Sequence, residues 1–496
     1  MTACAVPGTV AWLRALSPRQ GEVPMPRYWV ERAFAVVVLL VTACSGGAAL
    51  DPVAGAPRAI REDAPPAVRV AGDNAIAAVN STGIARTLPA SGSIDTSNLF
   101  VRSIGTNGRA CVSCHVASQG WTITPAGVSD RFERTRGLDP IFRSNDGANS
   151  PAADVSTLEA RRSAFTMLVT KGLIRVGIGI PANAEFELAQ ADDPYGYASS
   201  AELSLFRRPL PSANLGFLAT VMWDGRETLA GMSIVQDLAH QSNGATQGHA
   251  QRVEPISDAD RAEIVSFESG ITFAQALDFG AGPLDLAGAT GGVLALSETP
   301  FQLGINDTLG ADPTGHPFDP VTMTLFDAWT GAGGNRMADA RAAVARGQEI
   351  FNHHPIAIAG VRGLNDALGV SSIGGTCTTC HNTPGVGNHS VSLPLDLGLT
   401  DASRRTADLP LYTLRNRATG ETIRTSDPGR ALITGRWKDV ARFKGPILRG
   451  LAARAPYFHN GSARDLPAVI DFYQDRFAIG FTAQEKADLA AFLRAL

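Results

Sequence analysis

Cys111-Val112-Ser113-Cys114-His115 and Cys377-Thr378-Thr379-Cys380-His381 are two copies of one pattern, and their reading decides the fold. In each copy two cysteines flank a two-residue gap and a histidine follows at once. Such a gap lets two thiols add to the vinyl groups along one edge of a haem while the histidine falls beneath the iron. Zinc is the rival, because two CxxC pairs also build a four-cysteine site. Pairs of that kind lie close together in sequence, whereas more than half of this chain separates Cys111 from Cys377. The sequence therefore predicts two covalently bound haems c. Cys111 and Cys114 would hold one and Cys377 and Cys380 the other, with His115 and His381 as axial ligands.

The chain around these motifs has 496 residues and 44% apolar content, enough for two or three cores. A net charge of −4 provides no basic stripe, so no nucleic acid is expected as a partner. It does leave a surface on which a small basic redox carrier could dock. The remaining cysteines, Cys4 and Cys44, sit at the N-terminus, and none is left for a disulfide framework. Arg27 and Arg32 precede an apolar run, Ala33 to Ala43. That run is too short for a spanning helix, which needs about 20 residues, and residues 1–43 read as a signal peptide. Val41-Thr42-Ala43-Cys44 resembles a lipobox, in which Cys44 becomes the lipidated first residue; a general signal that happens to end near a cysteine is the plainer alternative. Met25 stands where an ordinary signal begins, and a start there would remove Cys4. Covalent haem attachment takes place outside the bacterial inner membrane. The expected location is therefore the periplasmic side of the envelope, with a lipid anchor.

Residues 44–95 are rich in Ala, Gly, Pro and Ser and read as a flexible tether. A first domain is expected over 96–335, carrying a long loop-and-helix insertion. Within it, Ser257 to Leu277 reads as a helix and Gly280 to Gly292 as a Gly-rich loop. A second domain, 336–496, opens with a helix from Met337 to Phe351, where Gly347 would let another helix cross closely. It closes with a helix capped by Thr482 and Glu485, whose stripe is Leu489, Phe492, Leu493 and Leu496. Strand signals are sparse. The expected fold class is mainly α, two cytochrome c-like domains with one haem each.

Ala455-Pro456-Tyr457-Phe458-His459-Asn460-Gly461 after Leu448-Arg449, together with Met222-Trp223-Asp224-Gly225-Arg226, resembles signature segments of the bacterial diheme cytochrome c peroxidase/MauG family. The resemblance covers roughly Asn98 to Leu496. It implies two facing haem domains, with peroxide chemistry at the His115 haem and electron relay at the His381 haem. Tyr473, fourteen residues beyond His459, stands where peroxidases carry a methionine ligand and MauG-like members a tyrosine. No methionine follows Met337, so Tyr473 is the expected sixth ligand, against the plainer reading of a core aromatic. A tyrosinate favours ferric and higher-valent iron where methionine favours ferrous. The resemblance also implies an electron-hopping role for Trp223 and a propionate partner in Arg449.

The chain departs from the family in three places. Arg131 stands where peroxidases that need reductive activation place a histidine, which implies an open first iron. Gln241 matches the family's distal glutamine, but the glutamate that should follow is absent, and His249 is the candidate acid–base in its neighbourhood. A surface or helix-packing histidine is the competing view. Arg208 stands where the family has an asparagine that helps hold an interdomain calcium. The function so implied is reduction of hydrogen peroxide with electrons from a small cytochrome, a copper protein or a protein substrate. A non-catalytic electron-transfer lipoprotein and a dioxygen-using oxygenase related to rubber oxygenases are the rival readings.

Overall fold

The computed structural model describes residues 76–496; the signal peptide, Cys4, Cys44 and residues 44–75 of the expected tether lie outside the described residues. Residues 76–95 correct the tether's extent. Strands β1 (Ile76–Asn80) and β2 (Gly83–Pro89) form an antiparallel hairpin there. Ala78 and Ala85 are almost wholly buried in it, so the small residues that mimic a linker are the ones that let this hairpin pack closely.

Each cysteine motif folds into the same single 3-10 turn, Cys111–Ser113 and Cys377–Thr379. The hydroxyl at the motif's third position accepts from the backbone N–H just before it: Ala110 to Ser113 Oγ at 3.1 Å, Thr376 to Thr379 Oγ1 at 3.0 Å. The histidine N–H then returns to the first cysteine carbonyl, at 3.0 Å for His115 and 3.1 Å for His381. Helix α1 (Pro125–Thr135) follows the first turn, and α2 (Leu158–Ala164) and α3 (Thr166–Lys171) pack on it around Phe132, Phe142 and Phe165.

Strands β3 (Ile174–Ile178), β4 (Phe186–Asp192) and β5 (Leu203–Arg207) come next, with β3 pairing β5. Helices α4 (Ile234–Gly248) and α5 (Asp258–Ser269) pack together, each with a Ser-initiated capping box. The helix expected to run to Leu277 stops at Gly270 and becomes strand β6 (Ile271–Asp278). Every residue of the expected helix after Gly270 belongs to the sheet β1-β2-β6-β7, with β7 at Gly282–Pro283 inside the expected Gly-rich loop. Tertiary pairing with β2 outweighs the helical propensity of Ala274-Gln275-Ala276-Leu277. A short α6 (Gly292–Ser297) breaks the stretch before Trp329.

Helix α7 (Arg336–His353) meets the sequence expectation closely and is followed by β8 (Ile356–Ala359), α8 (Asn365–Leu368) and β9 (Ser372–Gly375). Strands β10 (Leu411–Asn416) and β11 (Thr422–Thr425), then α9 (Ala431–Thr434), lead to α10 (Leu466–Phe477) and α11 (Ala483–Ala495). Helices α7 and α11 cross at Gly347, where an added Cβ would stand 2.0 Å from the Asp488 carbonyl oxygen. Their shared core takes in Ala281, Leu284, Phe326 and Trp329 from before residue 336. In the same way β4 pairs with β10 in a sheet β11-β10-β4, so segments from both sides of 335/336 interlock. The mainly α expectation is corrected to a mixed fold, 31% helix and 17% strand. Its strands are short and rich in Ala, Gly and Thr, so they carry little hydrophobic alternation to read.

Candidate haem cavities and the wall between them

Two large cavities open inside the fold, of about 1550 Å³ and 1470 Å³ with their mouths included. Cys111, Cys114 and His115 line the first; Cys377, Cys380 and His381 line the second. The cysteine pairs therefore lie apart, and no four-cysteine zinc site forms. Both histidines are fixed by the same device. His115 Nδ1 lies 3.1 Å from the Trp121 carbonyl and 3.0 Å from Ser212 Oγ, and His381 Nδ1 lies 2.5 Å from the Gly387 carbonyl. The accepting carbonyl sits six residues past the histidine in both motifs, and Trp121 and Gly387 both adopt positive φ, 59° and 80°. At position 387 only glycine fits, since a Cβ would meet Met323 and Leu448 side-chain atoms within 3 Å. A proton held at Nδ1 by a carbonyl leaves Nε2 with its lone pair for a metal. Burial lowers both histidines to about 4, which keeps the rings neutral.

The residues fit a haem in each cavity. Burial pushes the four thiols up, to about 11 at Cys114 and about 12 at the others, so they are poor redox thiols but suited to thioether linkage. Tyr473 projects from α10 into the second cavity, and its hydroxyl makes no hydrogen bond to any described residue. Burial, reinforced by the nearby Cys380 and Cys377, raises that phenol above its ordinary value. His459, 1% exposed, stacks on Phe443 at 4.0 Å between ring centres; neither ring nitrogen makes a hydrogen bond, and Nε2 lies 3.9 Å from Asp427. His389 is buried at the second cavity with Nδ1 3.1 Å from the Cys380 carbonyl.

Trp223 lines both cavities at once. Its Nε1 donates to the Arg208 carbonyl at 2.8 Å, and its ring meets His459 edge-on at 6.2 Å. The adjacent Asp224 explains why the segment holds its place. Arg207 of β5 donates to Asp224 at 2.5 Å and to Asp427 at 2.7 and 2.9 Å, all three groups being buried. Against the penalty of burial, the Arg207 and Arg226 charges hold the Asp224 carboxyl down at about 2.

Gln241 and His249 both line the first cavity, as the sequence expected. The Gln241 amide makes no hydrogen bond to a described residue. His249 Nδ1 lies 2.5 Å from Asp146, which also pairs with Arg109. Burial opposes the Asp146 charge, but His249 and Arg109 outweigh it and lower its pKa. Sequence spacing missed Glu268 on α5, a buried residue of the same cavity whose Oε1 has no partner. Burial alone pushes it up to about 8, so the carboxyl is largely protonated at neutral pH. The signal available was a glutamate four residues after Ile264, on the apolar face of its helix.

One expectation is corrected. Arg449 lines neither cavity, because its guanidinium donates to the carbonyls of Leu496, Gly385 and Gly292 and clamps the chain's end. Arg208, which stands where the family has its calcium-binding asparagine, is buried and donates to the carbonyls of Ile123, Gly172, Lys171 and Arg454. Arg131, at the place of the activating histidine, is held on Asp139 and the Ser113 carbonyl and lines neither cavity.

Comparison with known proteins gives the site its context. No family model matches the chain. A cytochrome-c peroxidase, IdrP1 of Pseudomonas sp. (strain SCT), is 34% identical over 140 residues, 24% of this chain and 36% of the relative. This chain is similar to cytochrome-c peroxidases. Two from Denitromonas iodatirespirans, IdrP2 and IdrP1, are 31% and 30% identical over 133 and 136 residues, again 36% of each. The chain thus matches about a third of the length of these curated relatives. The family resemblance read from the motifs is borne out by them. Among solved structures, a MauG-like protein associated with microbial copper homeostasis aligns over 84% of this chain and 93% of its own, at 16% identity and a TM-score of 0.36.

Proposed function

We propose that this protein is a diheme c-type oxidoreductase of the cytochrome c peroxidase/MauG kind, reducing hydrogen peroxide with electrons from a redox protein or another donor. One observation carries the reading: each cavity has its own CxxCH turn, and Trp223 is a wall common to both. Haem, when bound, supplies a redox iron to each cavity. His115 would hold the first through Nε2, and His381 and Tyr473 would be the ligands of the second. Trp223, already in contact with both spaces, gives an oxidisable aromatic between them.

Proton movement falls to groups of the first cavity. Peroxide cleavage needs a proton taken from one oxygen and returned to the other. Glu268, buried and without a partner at Oε1, holds a proton inside. His249, with 41% of its side chain exposed and Nδ1 engaged by Asp146, is placed to exchange with solvent through Nε2. The Gln241 amide is free to orient a bound oxygen. The Glu268 carboxyl supports the peroxide reading over the dioxygen-using one. Residues 1–44 would export the chain and anchor it through Cys44 on the periplasmic side, where a small cytochrome or copper protein can dock.

The test is low-temperature EPR of the purified ferric protein at a known haem-to-protein ratio, followed by peroxide turnover with reduced cytochrome c. One high-spin and one low-spin signal are expected, with turnover. Two low-spin signals and no turnover, for instance through closure by Met222 or His249 in the first cavity, would leave only electron relay.

A further inference from the structure

Lys444 lines both cavities, and its backbone N–H donates to the Trp223 carbonyl at 2.9 Å. It is 8% exposed. Its ammonium makes one hydrogen bond, to the Thr220 carbonyl at 2.9 Å, and has no carboxylate within ion-pair range among the described residues. The other buried cations here are spent: Arg207 on two aspartates, Arg208 and Arg449 on backbone carbonyls. Lys444 is the one of these four held by a single hydrogen bond, with two of its three N–H donors unused. A buried lysine without an anion is costly, and burial lowers it to about 7. No described residue supplies that anion. A haem does, since each carries two propionate carboxylates, and an ammonium three donors.

We propose that Lys444 is the propionate-binding cation of the wall between the cavities, pairing with a carboxylate of a haem seated in one of them. The inference rests on the reading that haems fill both cavities. Lys444 acts as a positioning residue: it orients the haem edge beside Trp223 and, as a fixed positive charge, favours the reduced iron of that haem.

The test is redox titration of the diheme protein, followed in the visible spectrum, for wild type, Lys444→Gln and Lys444→Arg. Haem content is measured first; fewer than two haems in the wild type defeats the diheme reading and not the lysine's role. Gln retains a donor for the Thr220 carbonyl but removes the charge. Its reduction equilibrium should shift about tenfold toward the oxidised form, about 59 mV for one electron, at the haem whose propionate is bound. Which haem shifts identifies the source of the carboxylate. Arg should hold both potentials within about twofold while moving the propionate stretching band in redox-difference infrared spectra of haem-labelled protein. Two haems with unmoved potentials in Lys444→Gln would overturn the proposal. If the Gln variant fails to mature, an unmoved propionate band in Lys444→Arg overturns it equally.

Discussion

Tyr473 presents a phenol with no hydrogen-bond partner to the cavity that His381 also lines. Phe472, Phe477 and Phe458 surround the ring, so replacing it by phenylalanine keeps the packing and removes only the oxygen. Tyr473→Phe should therefore convert the low-spin EPR signal of the second haem to another form while leaving the first haem's signal unchanged; an identical spectrum would exclude ligation. Asp224 acts at the same scale through charge. Its carboxyl lies at about 2 against an ordinary 3.8, so its stabilisation is full above about 3.8 and is lost as pH falls toward 2. The shift corresponds to ~2 kcal/mol. Asp224→Asn should destabilise the fold by about 3–5 kcal/mol near neutrality, since Arg207 loses one of two partners, and should flatten the fall in melting temperature below pH 4. A variant melting as steeply with acid as the wild type would show that the network does not govern acid stability.

At the scale of elements, the crossing of α7 and α11 depends on one hydrogen atom. Gly347 faces the Asp488 carbonyl and Phe492 Cβ, and Arg346 next to it pairs with Asp488 at 2.8 Å. Gly347→Val would force backbone against backbone and should cost about 1–3 kcal/mol or more, read as a lower denaturation midpoint and weaker haem retention at the second motif. Equal stability would mean that the helices separate without loss. This crossing was legible in the sequence because helical periodicity, a capping box and a glycine on the buried face are local. Strand β6 was not. Its residues read as a continuation of α5, and only pairing with β2, a hairpin over 180 residues earlier, makes them a strand.

Across the whole molecule, β4 pairs with β10 and the core of α7 and α11 recruits residues 281–329. Units joined in this way share hydrophobic surface that neither buries alone. Thermal unfolding of the diheme protein should therefore follow one cooperative transition, with both haem environments lost together in the Soret band and the aromatic circular dichroism. Two separated transitions, each tied to one haem, would show that the parts on either side of 335/336 fold independently.

The haem motifs and their histidines were readable because short spacing dictates their chemistry: two thiols and an imidazole within five residues can meet one porphyrin. Tyr473, Trp223, Gln241 and His249 were reached only through the family resemblance. What those motifs share was decided by the tertiary structure. Glu268 and Lys444 become functional candidates only once burial strips water from them, and burial is a property of neighbours far away in the chain. Arg449 and Arg208 show the converse. Arg449 was expected to pair with a propionate and Arg208 replaced a calcium-binding asparagine, yet folding surrounded each guanidinium with backbone carbonyls and made both side chains internal clamps.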